Sequence, residues 1–109
     1  MTTCYALDLK DDPALTAAYD DWHTHVWPEV LDHLRAQGIT RCVIHRTGNR
    51  LFMTLESSTG APSDGGGSPL PPRVQEWEDL MASFQQPLPF ATPGEKWVRM
   101  DRIFDWSAE

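Results

Sequence analysis

Apolar and polar residues alternate over positions 2–9, which predicts a β-strand. The Lys-Asp-Asp-Pro sequence after it places Asp12 where its side chain can cap a helix and Pro13 where a helix can begin. Apolar side chains then recur at helical spacing until Pro28, which interrupts the helix and can serve as the first residue of another. Gly38 supplies the stop for this second helical segment. The chain therefore begins as a strand followed by a helix that breaks at Pro28.

The rest of the chain continues in the order strand, strand, helix, strand. Residues 40–46 and 50–56 look like strands joined at Thr47-Gly48-Asn49, which predicts a β-hairpin. Apolar residues at helical spacing over positions 74–84 predict an amphipathic helix, and residues 97–104 alternate as a final strand with two differently occupied faces. The element order is βαββαβ. It predicts an α+β fold, a ferredoxin-like antiparallel sheet with both helices on one face.

Residues 57–72 read Ser-Ser-Thr-Gly-Ala-Pro-Ser-Asp-Gly-Gly-Gly-Ser-Pro-Leu-Pro-Pro and have almost no apolar content. This composition predicts a flexible loop, because the segment has too little apolar surface to bury. Neither side of the loop can form a core alone. We therefore expect residues 1–109 to form a single domain in which the loop is an insertion.

A sheet with both helices on one face has a second face that must be covered. A chain of 109 residues most simply covers that face with a copy of itself. The predicted fold therefore leads to the hypothesis of a homodimer.

The charge balance narrows the possible partners. The chain has 9 basic and 16 acidic residues and no basic cluster. It therefore lacks the positive charge that proteins use to bind nucleic acid or an anionic membrane. A neutral or cationic small molecule is a better match for its charge. No apolar run approaches the roughly 20 residues that span a bilayer, and the first residues do not resemble a signal peptide, so we expect a cytoplasmic protein. Cys4 and Cys42 are too few and too far apart for a disulfide scaffold or a zinc site, so we expect free, buried thiols.

Residues 19–29, Tyr-Asp-Asp-Trp-His-Thr-His-Val-Trp-Pro-Glu, gather ionisable and aromatic groups where the helix is forced to break. On a helix Tyr19 and His23 are four apart and share a face, so a phenol and an imidazole can converge on one small ligand. An imidazole titrates near neutral pH, which suits acid/base work on a neutral, hydroxyl-rich substrate. The same residues are equally compatible with two ordinary surface histidines on an amphipathic helix.

Other ionisable groups have simpler interpretations. His25 lies two positions from His23, so on a continuing helix the two rings point to opposite sides, and only an extended segment would let the pair bind a metal. No cysteine or histidine companion has suitable spacing, so we expect no metal site. Three carboxylates of the last predicted helix lie off its apolar stripe and are most simply a solvated face: Glu76, Glu78 and Asp79.

The sequence His23-Thr24-His25-Val26-Trp27-Pro28-Glu29 resembles the His-x-x-x-Trp-Pro-Glu segment of the L-rhamnose mutarotase family. Tyr19 lies four residues before the histidine as in that family, and Gly48-Asn49-Arg50-Leu51-Phe52-Met53 resembles the family's hairpin. Trp77 falls in the segment where the family carries a tryptophan. The resemblance covers about residues 4–56 and 73–106. It implies a dimeric α/β barrel that interconverts the anomers of a sugar without a cofactor.

The chemistry of anomer exchange gives these residues roles. A pyranose opens when its anomeric hydroxyl loses a proton while the ring oxygen gains one, and it can close on the other face after rotation about the C1–C2 bond. One histidine, aided by a phenol or water, can serve both transfers. The resemblance assigns the acid role to His23 and a sugar contact to Tyr19. Trp27 and Trp77 can stack on the apolar face of the sugar, although each fits a purely structural position in the core equally well.

Two positions depart from the pattern of the rhamnose-specific members. Those members carry a second aromatic residue after the tryptophan, whereas this chain has Glu78, and a strand position that is tyrosine in them corresponds to Cys42. The loss of aromatic side chains and the gain of a carboxylate change which hydroxyl groups of the sugar the site recognises. Residues 85–97 also resemble a branch associated with L-fucose breakdown. We therefore expect Glu78 and Cys42 to contact the sugar. We also expect L-fucose, rather than L-rhamnose, to be the preferred substrate.

Other classes of protein share the predicted architecture. The βαββαβ dimer also resembles cofactor-free monooxygenases and haem-binding barrels, and a ligand-binding module without turnover is a further alternative, because fold does not determine function. A haem protein would be coloured as isolated, and a monooxygenase would consume oxygen. A pure binding module would bind sugar without changing its anomer ratio.

Overall fold

The structure is a computed structural model that describes residues 2–58 and 70–108. Within these ranges the chain forms five strands and three helices: β1 (Thr2–Leu9), α1 (Pro13–Trp22), α2 (Pro28–Ala36), β2 (Ile39–Thr47), β3 (Arg50–Ser57), α3 (Pro72–Ala82), β4 (Gln85–Gln86) and β5 (Val98–Arg99). The sheet order is β2-β3-β1-β4, β5 also pairs with β1, and these pairings are antiparallel. The predicted ferredoxin-like α+β fold is confirmed, with the first helical region divided into α1 and α2 and with an additional short strand, β4, before the last one.

The start of α1 agrees with the prediction from the Asp-Pro sequence. The Asp12 carboxylate accepts hydrogen bonds from the amides of Ala14 and Leu15 at 2.9 and 3.4 Å, and Pro13 is the first helical residue. A cap of this kind contributes about 1 kcal/mol to the stability of a helix. The local sequence therefore fixes where α1 leaves the sheet.

The end of α1 differs from the prediction. The helix was expected to continue to Pro28, but it ends at Trp22, and a turn and an extended segment follow. The Thr24 hydroxyl and amide both donate to the Asp21 carbonyl, at 2.7 and 3.1 Å, which tightens the chain into a turn. Pro28 then holds Trp27 in extended geometry, with φ of −59° and ψ of 137°. The residues between Trp22 and Pro28 are therefore not helical, although their apolar spacing suggested a helix.

The predicted hairpin is formed by β2 and β3 around the two-residue loop Gly48-Asn49, closed by the pair Thr47 and Arg50. Gly48 has a φ of 56°, the left-handed conformation that the first loop residue of such a hairpin requires. The Asn49 side-chain amide donates to the Leu9 carbonyl at 3.0 Å, and the Asn49 carbonyl accepts from the Leu9 amide at 2.6 Å. These bonds attach the hairpin loop to the end of β1.

The core lies between one face of the sheet and the helices. Alternate residues of β1 are buried from Thr3 to Leu9, which identifies the face that the helices cover. The largest buried cluster joins β1, α1, α2, β3 and α3, and its members are Leu9, Tyr19, Val30, Leu51, Trp77, Met81 and Phe84. Leu7, Leu9 and Leu51 expose at most 1% of their surface. Apolar burial on this face therefore fixes the register of both long strand pairs.

The predicted final strand over residues 97–104 is wrong in extent, because β5 comprises only Val98–Arg99. If the antiparallel register of β5 along β1 is extended residue by residue, residue 102 lies opposite Thr2, the first residue of β1. Residues after 102 therefore extend beyond the end of β1. We call residues 100–108 the C-terminal arm. Its large apolar side chains Ile103, Phe104 and Trp106 are exposed, Ile103 by 95%. Alternation predicted a longer strand, but in the described chain only Val98 and Arg99 pair with β1.

The remaining predictions about the chain are partly tested. Both cysteines are free as expected, but neither is buried: Cys4 is half-buried, and Cys42 is exposed because it lies on the edge strand β2. The predicted loop over 57–72 is shorter at its ends, because Ser57 closes β3 and Pro72 begins α3. Its residues 59–69 lie outside the described residues. No helix in the described ranges has the length and apolarity needed to cross a bilayer.

The packing of β1 leads to a stability prediction. Leu9 is fully buried in the main cluster, so Leu9→Ala should lower the free energy of unfolding by about 2–5 kcal/mol. Arg35 is exposed in an ion pair with Asp32 on α2, so the control Arg35→Ala should stay within about 0.5 kcal/mol of the parent. Urea unfolding measures both, and equal losses would show that β1 is not part of the main core.

Candidate active site

A cleft of about 480 Å³ opens between the helices and the covered face of the sheet. Its walls come from α1, α2, β2, β3, α3 and β4, with Trp97 ahead of β5. The cleft brings together all but one of the predicted site residues: Tyr19, His23, Cys42, Trp77 and Glu78. The exception is Trp27, which is not among the lining residues. Most of the remaining wall is apolar, so polar groups in the cleft are partly withdrawn from water.

His23 is held at the C-terminal end of α1. Its Nδ1 lies 2.8 Å from the backbone carbonyl oxygen of Tyr19, and because a carbonyl only accepts, Nδ1 carries the proton and donates. The other ring nitrogen, Nε2, is then unprotonated in the neutral imidazole and carries the second proton in the imidazolium. The ring is also packed against Tyr19 at 4.6 Å and against the edge of Trp77 at 5.7 Å between centroids. His23 therefore has a fixed tautomer and a restricted orientation.

Tyr19 lies one turn before His23 and is 3% exposed. Its hydroxyl accepts a hydrogen bond from Gln85 Nε2 at 3.4 Å. Burial raises the pKa of the phenol, and the nearby Glu78 and Cys42 add to this increase, although the Gln85 bond opposes it. The phenol therefore remains protonated at neutral pH and can both donate and accept hydrogen bonds.

Two tryptophans have different positions around the cleft. Trp77 lines the cleft and is 5% exposed, which makes it a rigid aromatic wall next to His23. Trp27 packs behind it, with ring centroids 5.1 Å apart, and the Arg73 guanidinium lies 3.9 Å from the Trp27 ring centroid. Trp27 can therefore fix the orientation of Trp77, but in this structure Trp77 is between the cleft and Trp27.

Glu78 and Cys42 contribute further polar atoms to the lining of the cleft. Glu78 is half-buried, and desolvation raises the pKa of its carboxyl group. Cys42 is exposed as a residue, yet the surrounding protein desolvates its thiol and so raises the pKa of that thiol as well. Glu76 and Asp79 have the solvated positions expected for this helix, paired with Arg73 at 2.8 Å and Gln75 at 2.9 Å. Glu78 differs from both because it lines the cleft.

The structure adds three polar cleft residues that the sequence analysis did not identify. Arg46 binds Asp20 through two hydrogen bonds, Nε to Oδ1 at 2.8 Å and Nη2 to Oδ2 at 2.7 Å, and it also donates to the Gly48 carbonyl at 2.7 Å. This pairing holds the pKa of Asp20 below its usual value and connects α1 to the hairpin. Gln85 presents a buried Oε1 without a hydrogen-bond partner among the described residues. No local pattern marks these residues, because their partners are distant in sequence.

The geometry of the cleft fits acid/base chemistry on an uncharged ligand. His23 offers a nitrogen that can exchange a proton, Tyr19 offers a neutral hydroxyl, and Glu78 offers a desolvated carboxyl group. A rigid aromatic wall can contact the apolar face of a ring-shaped substrate. As for a metal, no group of three or more histidine, cysteine or acidic residues in the described part of the chain is arranged to hold an ion.

Comparison with known proteins places this arrangement in a family. The chain is 45% identical to an L-fucose mutarotase from Xanthomonas campestris pv. campestris, with 93% of this chain and 84% of that protein covered. It is 31% identical to an L-rhamnose mutarotase from Rhizobium johnstonii, over 82% and 84% of the two chains.

Solved structures agree on the fold. An L-rhamnose mutarotase from Formosa agariphila matches with a TM-score of 0.71 at 22% identity, covering 98% of this chain and 99% of that one. Tetracenomycin F2 cyclase from Streptomyces glaucescens matches with a TM-score of 0.58 at 17% identity, over 100% and 99% of the chains. The family model described as L-rhamnose mutarotase matches residues 2–106. This chain therefore belongs to the L-rhamnose mutarotase family.

Proposed function

We propose that this protein is a carbohydrate isomerase, an aldose mutarotase that interconverts the α and β anomers of a 6-deoxy-hexose. The observation that carries the proposal is His23, oriented by the Tyr19 carbonyl and exposed to a cleft with an aromatic wall, in a chain of the L-rhamnose mutarotase family. Anomer exchange needs one proton removed from the anomeric hydroxyl and one delivered to the ring oxygen. An imidazole with a fixed tautomer supplies a proton site at a defined position.

The positions of the other cleft residues fit a bound pyranose. The buried Trp77 can stack on the apolar face of the sugar ring, while Tyr19 holds a hydroxyl by its phenol. Gln85 lines the cleft, and its buried Oε1 has no hydrogen-bond partner among the described residues, so a sugar hydroxyl can supply the missing donor. Asp20 and Arg46 close one part of the lining with a charged pair. A neutral polyol therefore finds complementary groups on several sides.

For the identity of the sugar, we propose L-fucose in preference to L-rhamnose. The relative at 45% identity is named an L-fucose mutarotase, whereas the relative named for L-rhamnose is 31% identical. Cys42 and Glu78 both line the cleft, so the positions that depart from the rhamnose-specific pattern are able to contact the sugar. A changed hydrogen-bonding partner for one hydroxyl shifts discrimination between sugars by about 1–3 kcal/mol.

We propose that the protein is a homodimer joined through the outer face of the sheet and the C-terminal arm. Phe52 is exposed on that face, and a groove of about 560 Å³ lies between it and the start of the arm, lined in part by Cys4 and Met100. The exposed Ile103, Phe104 and Trp106 offer apolar surface that an isolated chain leaves in water. A second copy covers both features at once, because a two-fold interface brings each arm to its partner.

The first prediction from this proposal concerns His23. His23→Ala should slow anomer exchange by about a hundredfold or more, since it removes a general acid/base group, while Tyr19→Phe should cost less because it removes only a hydroxyl. His25 is exposed and outside the lining, so His25→Ala is the matched control with unchanged rate. Saturation-transfer NMR on L-fucose measures the rates. Full activity in a folded His23→Ala variant would contradict the proposal, and sugar binding without exchange by the parent would indicate a binding module.

The second prediction concerns the sugar. The parent should exchange L-fucose faster than L-rhamnose, and Cys42→Tyr should move the ratio of the two rates toward L-rhamnose by a factor that corresponds to about 1–3 kcal/mol. Cys4 lines the other groove, so Cys4→Ser should leave the ratio unchanged. The same NMR measurement on both sugars tests this, and an unchanged ratio in folded Cys42→Tyr would place Cys42 outside the recognition surface.

The third prediction concerns the arm. Replacing Ile103, Phe104 and Trp106 together by serine should turn the dimer into a monomer, because fully burying each such side chain contributes roughly 1.5–3 kcal/mol. The matched control replaces Asp105 and Ser107 by alanine and should remain dimeric. Sedimentation velocity at several concentrations distinguishes the states. A parent that is monomeric throughout, or a serine variant that dimerises like the parent, would exclude this interface.

A further inference from the structure

Anomer exchange moves protons at two oxygen atoms, and the cleft must hold groups that serve both. His23 offers one such group through Nε2. Resting on the function proposed above, we propose that Glu78 is the second proton-transfer group: its carboxyl exchanges the proton of the anomeric hydroxyl while His23 exchanges the proton of the ring oxygen. Glu78 would then be a catalytic residue as well as a sugar contact.

The position of Glu78 on α3 supports this role. It follows Trp77, whose edge touches the His23 ring, and both residues line the same cleft. Its carboxyl group has no hydrogen bond and no ion pair in the described ranges, although it is half-buried. Glu76 and Asp79 on the same helix are bound by Arg73 and Gln75. Glu78 is therefore the carboxyl of α3 that remains available to a ligand in the cleft.

The charges around Glu78 allow both of its protonation states. Desolvation raises its pKa, Lys96 and His33 lower it through their positive charge, and Asp79 raises it again. Within the cleft itself, Glu78 and Cys42 raise the pKa of Tyr19, so these three groups lie near one another. His23 completes the titratable set on this side. A carboxyl group whose pKa is raised by burial exchanges its proton closer to neutral pH than an exposed carboxyl group does.

The other polar groups in the cleft are less suited to the same transfer. The raised pKa values of Tyr19 and Cys42 keep the phenol and the thiol protonated, so neither is an effective base at neutral pH. Both carboxylate oxygens of Asp20 accept hydrogen bonds from Arg46, which holds the pKa of Asp20 down. The guanidinium of Arg46 does not give up its proton. Glu78 is what remains beside His23 in the described part of the cleft.

The proposed step is balanced in protons and electrons. In ring opening, the Glu78 carboxylate takes the proton of the anomeric hydroxyl, the C1–O5 bond breaks with its electron pair moving to O5, and the His23 imidazolium gives its Nε2 proton to O5. After rotation about C1–C2, the neutral imidazole takes the O5 proton, O5 attacks C1, and the protonated Glu78 returns its proton to O1. Both groups end as they began, so no co-reactant is consumed.

The pH dependence of anomer exchange tests the assignment. For the parent, kcat/KM should rise with pH as Glu78 loses its proton, because only the carboxylate accepts the proton of the anomeric hydroxyl. Glu78→Gln should lower kcat about tenfold to a thousandfold and remove the acidic limb, and Glu78→Asp should restore part of both. The control Glu76→Gln should keep the rate and the full profile, because Glu76 is exposed and bound by Arg73.

The competing role for Glu78 is to bind a hydroxyl without moving a proton. In that case Glu78→Gln would raise KM or change the preferred sugar while the acidic limb persisted, and this result would overturn the proposal. A parent without anomer exchange would instead refute the proposed function itself, so the two failures are distinguishable. Saturation-transfer contacts between sugar and Glu78→Gln should persist, which separates lost proton transfer from lost binding.

A measurement without substrate tests the placement of Glu78. Because its pKa is raised in the folded protein, the stability it contributes when protonated is lost as pH rises from the ordinary value of 4.5 through the raised one. Glu78→Gln should therefore melt at a higher temperature than the parent at pH 8, and this difference should close as pH falls toward 4.5. A difference that does not change with pH would show that the carboxyl is solvated and would overturn the assignment.

Discussion

The termination of α1 at Trp22 is the constraint on which the site depends. Had the helix continued to Pro28, the His23 amide and side chain would belong to a helical surface. Instead His23 caps the helix, and its Nδ1 donates to the Tyr19 carbonyl in the last turn of α1. This hydrogen bond ties the side chain to the helix end, fixes the imidazole tautomer and leaves Nε2 for chemistry. The extended segment that follows lets Trp27 reach the back of Trp77.

The cleft carries polar groups that a purely structural core would not contain. A half-buried carboxyl without a partner in the described ranges and a buried amide oxygen without one each cost stability. Such costs concentrate at functional sites, where a ligand supplies the missing partners. The bidentate ion pair between Asp20 and Arg46 instead stabilises the site, because it ties the helix that carries Tyr19 and His23 to the hairpin. The site therefore combines rigid supports with unsatisfied groups that face the cleft.

The two faces of the sheet differ in what covers them. On the covered face, apolar residues and helices enclose the cleft, whereas the outer face exposes Phe52 and leads to the C-terminal arm. The edge strand β2 contributes Cys42 and Arg46 to the cleft, and among the described strands it pairs only with β3. Assembly through the outer face would leave the cleft accessible to substrate. This separation is consistent with one small fold serving both recognition and dimer formation.

The sequence alone determined the features that depend on local chemistry. The element order, the Asp12-Pro13 helix start, the Gly48 turn and the closeness of Tyr19 and His23 follow from spacing, capping and backbone freedom over a few residues. Tertiary structure decided the rest. Whether Glu78 faced water or the cleft depended on which elements packed against α3, and the Asp20–Arg46 pair joined residues 26 apart. The extent of the final strand depended on a distant segment, because only Val98 and Arg99 pair with β1. Long-range packing and strand register set these features, and no short stretch of sequence records which partner a side chain will meet.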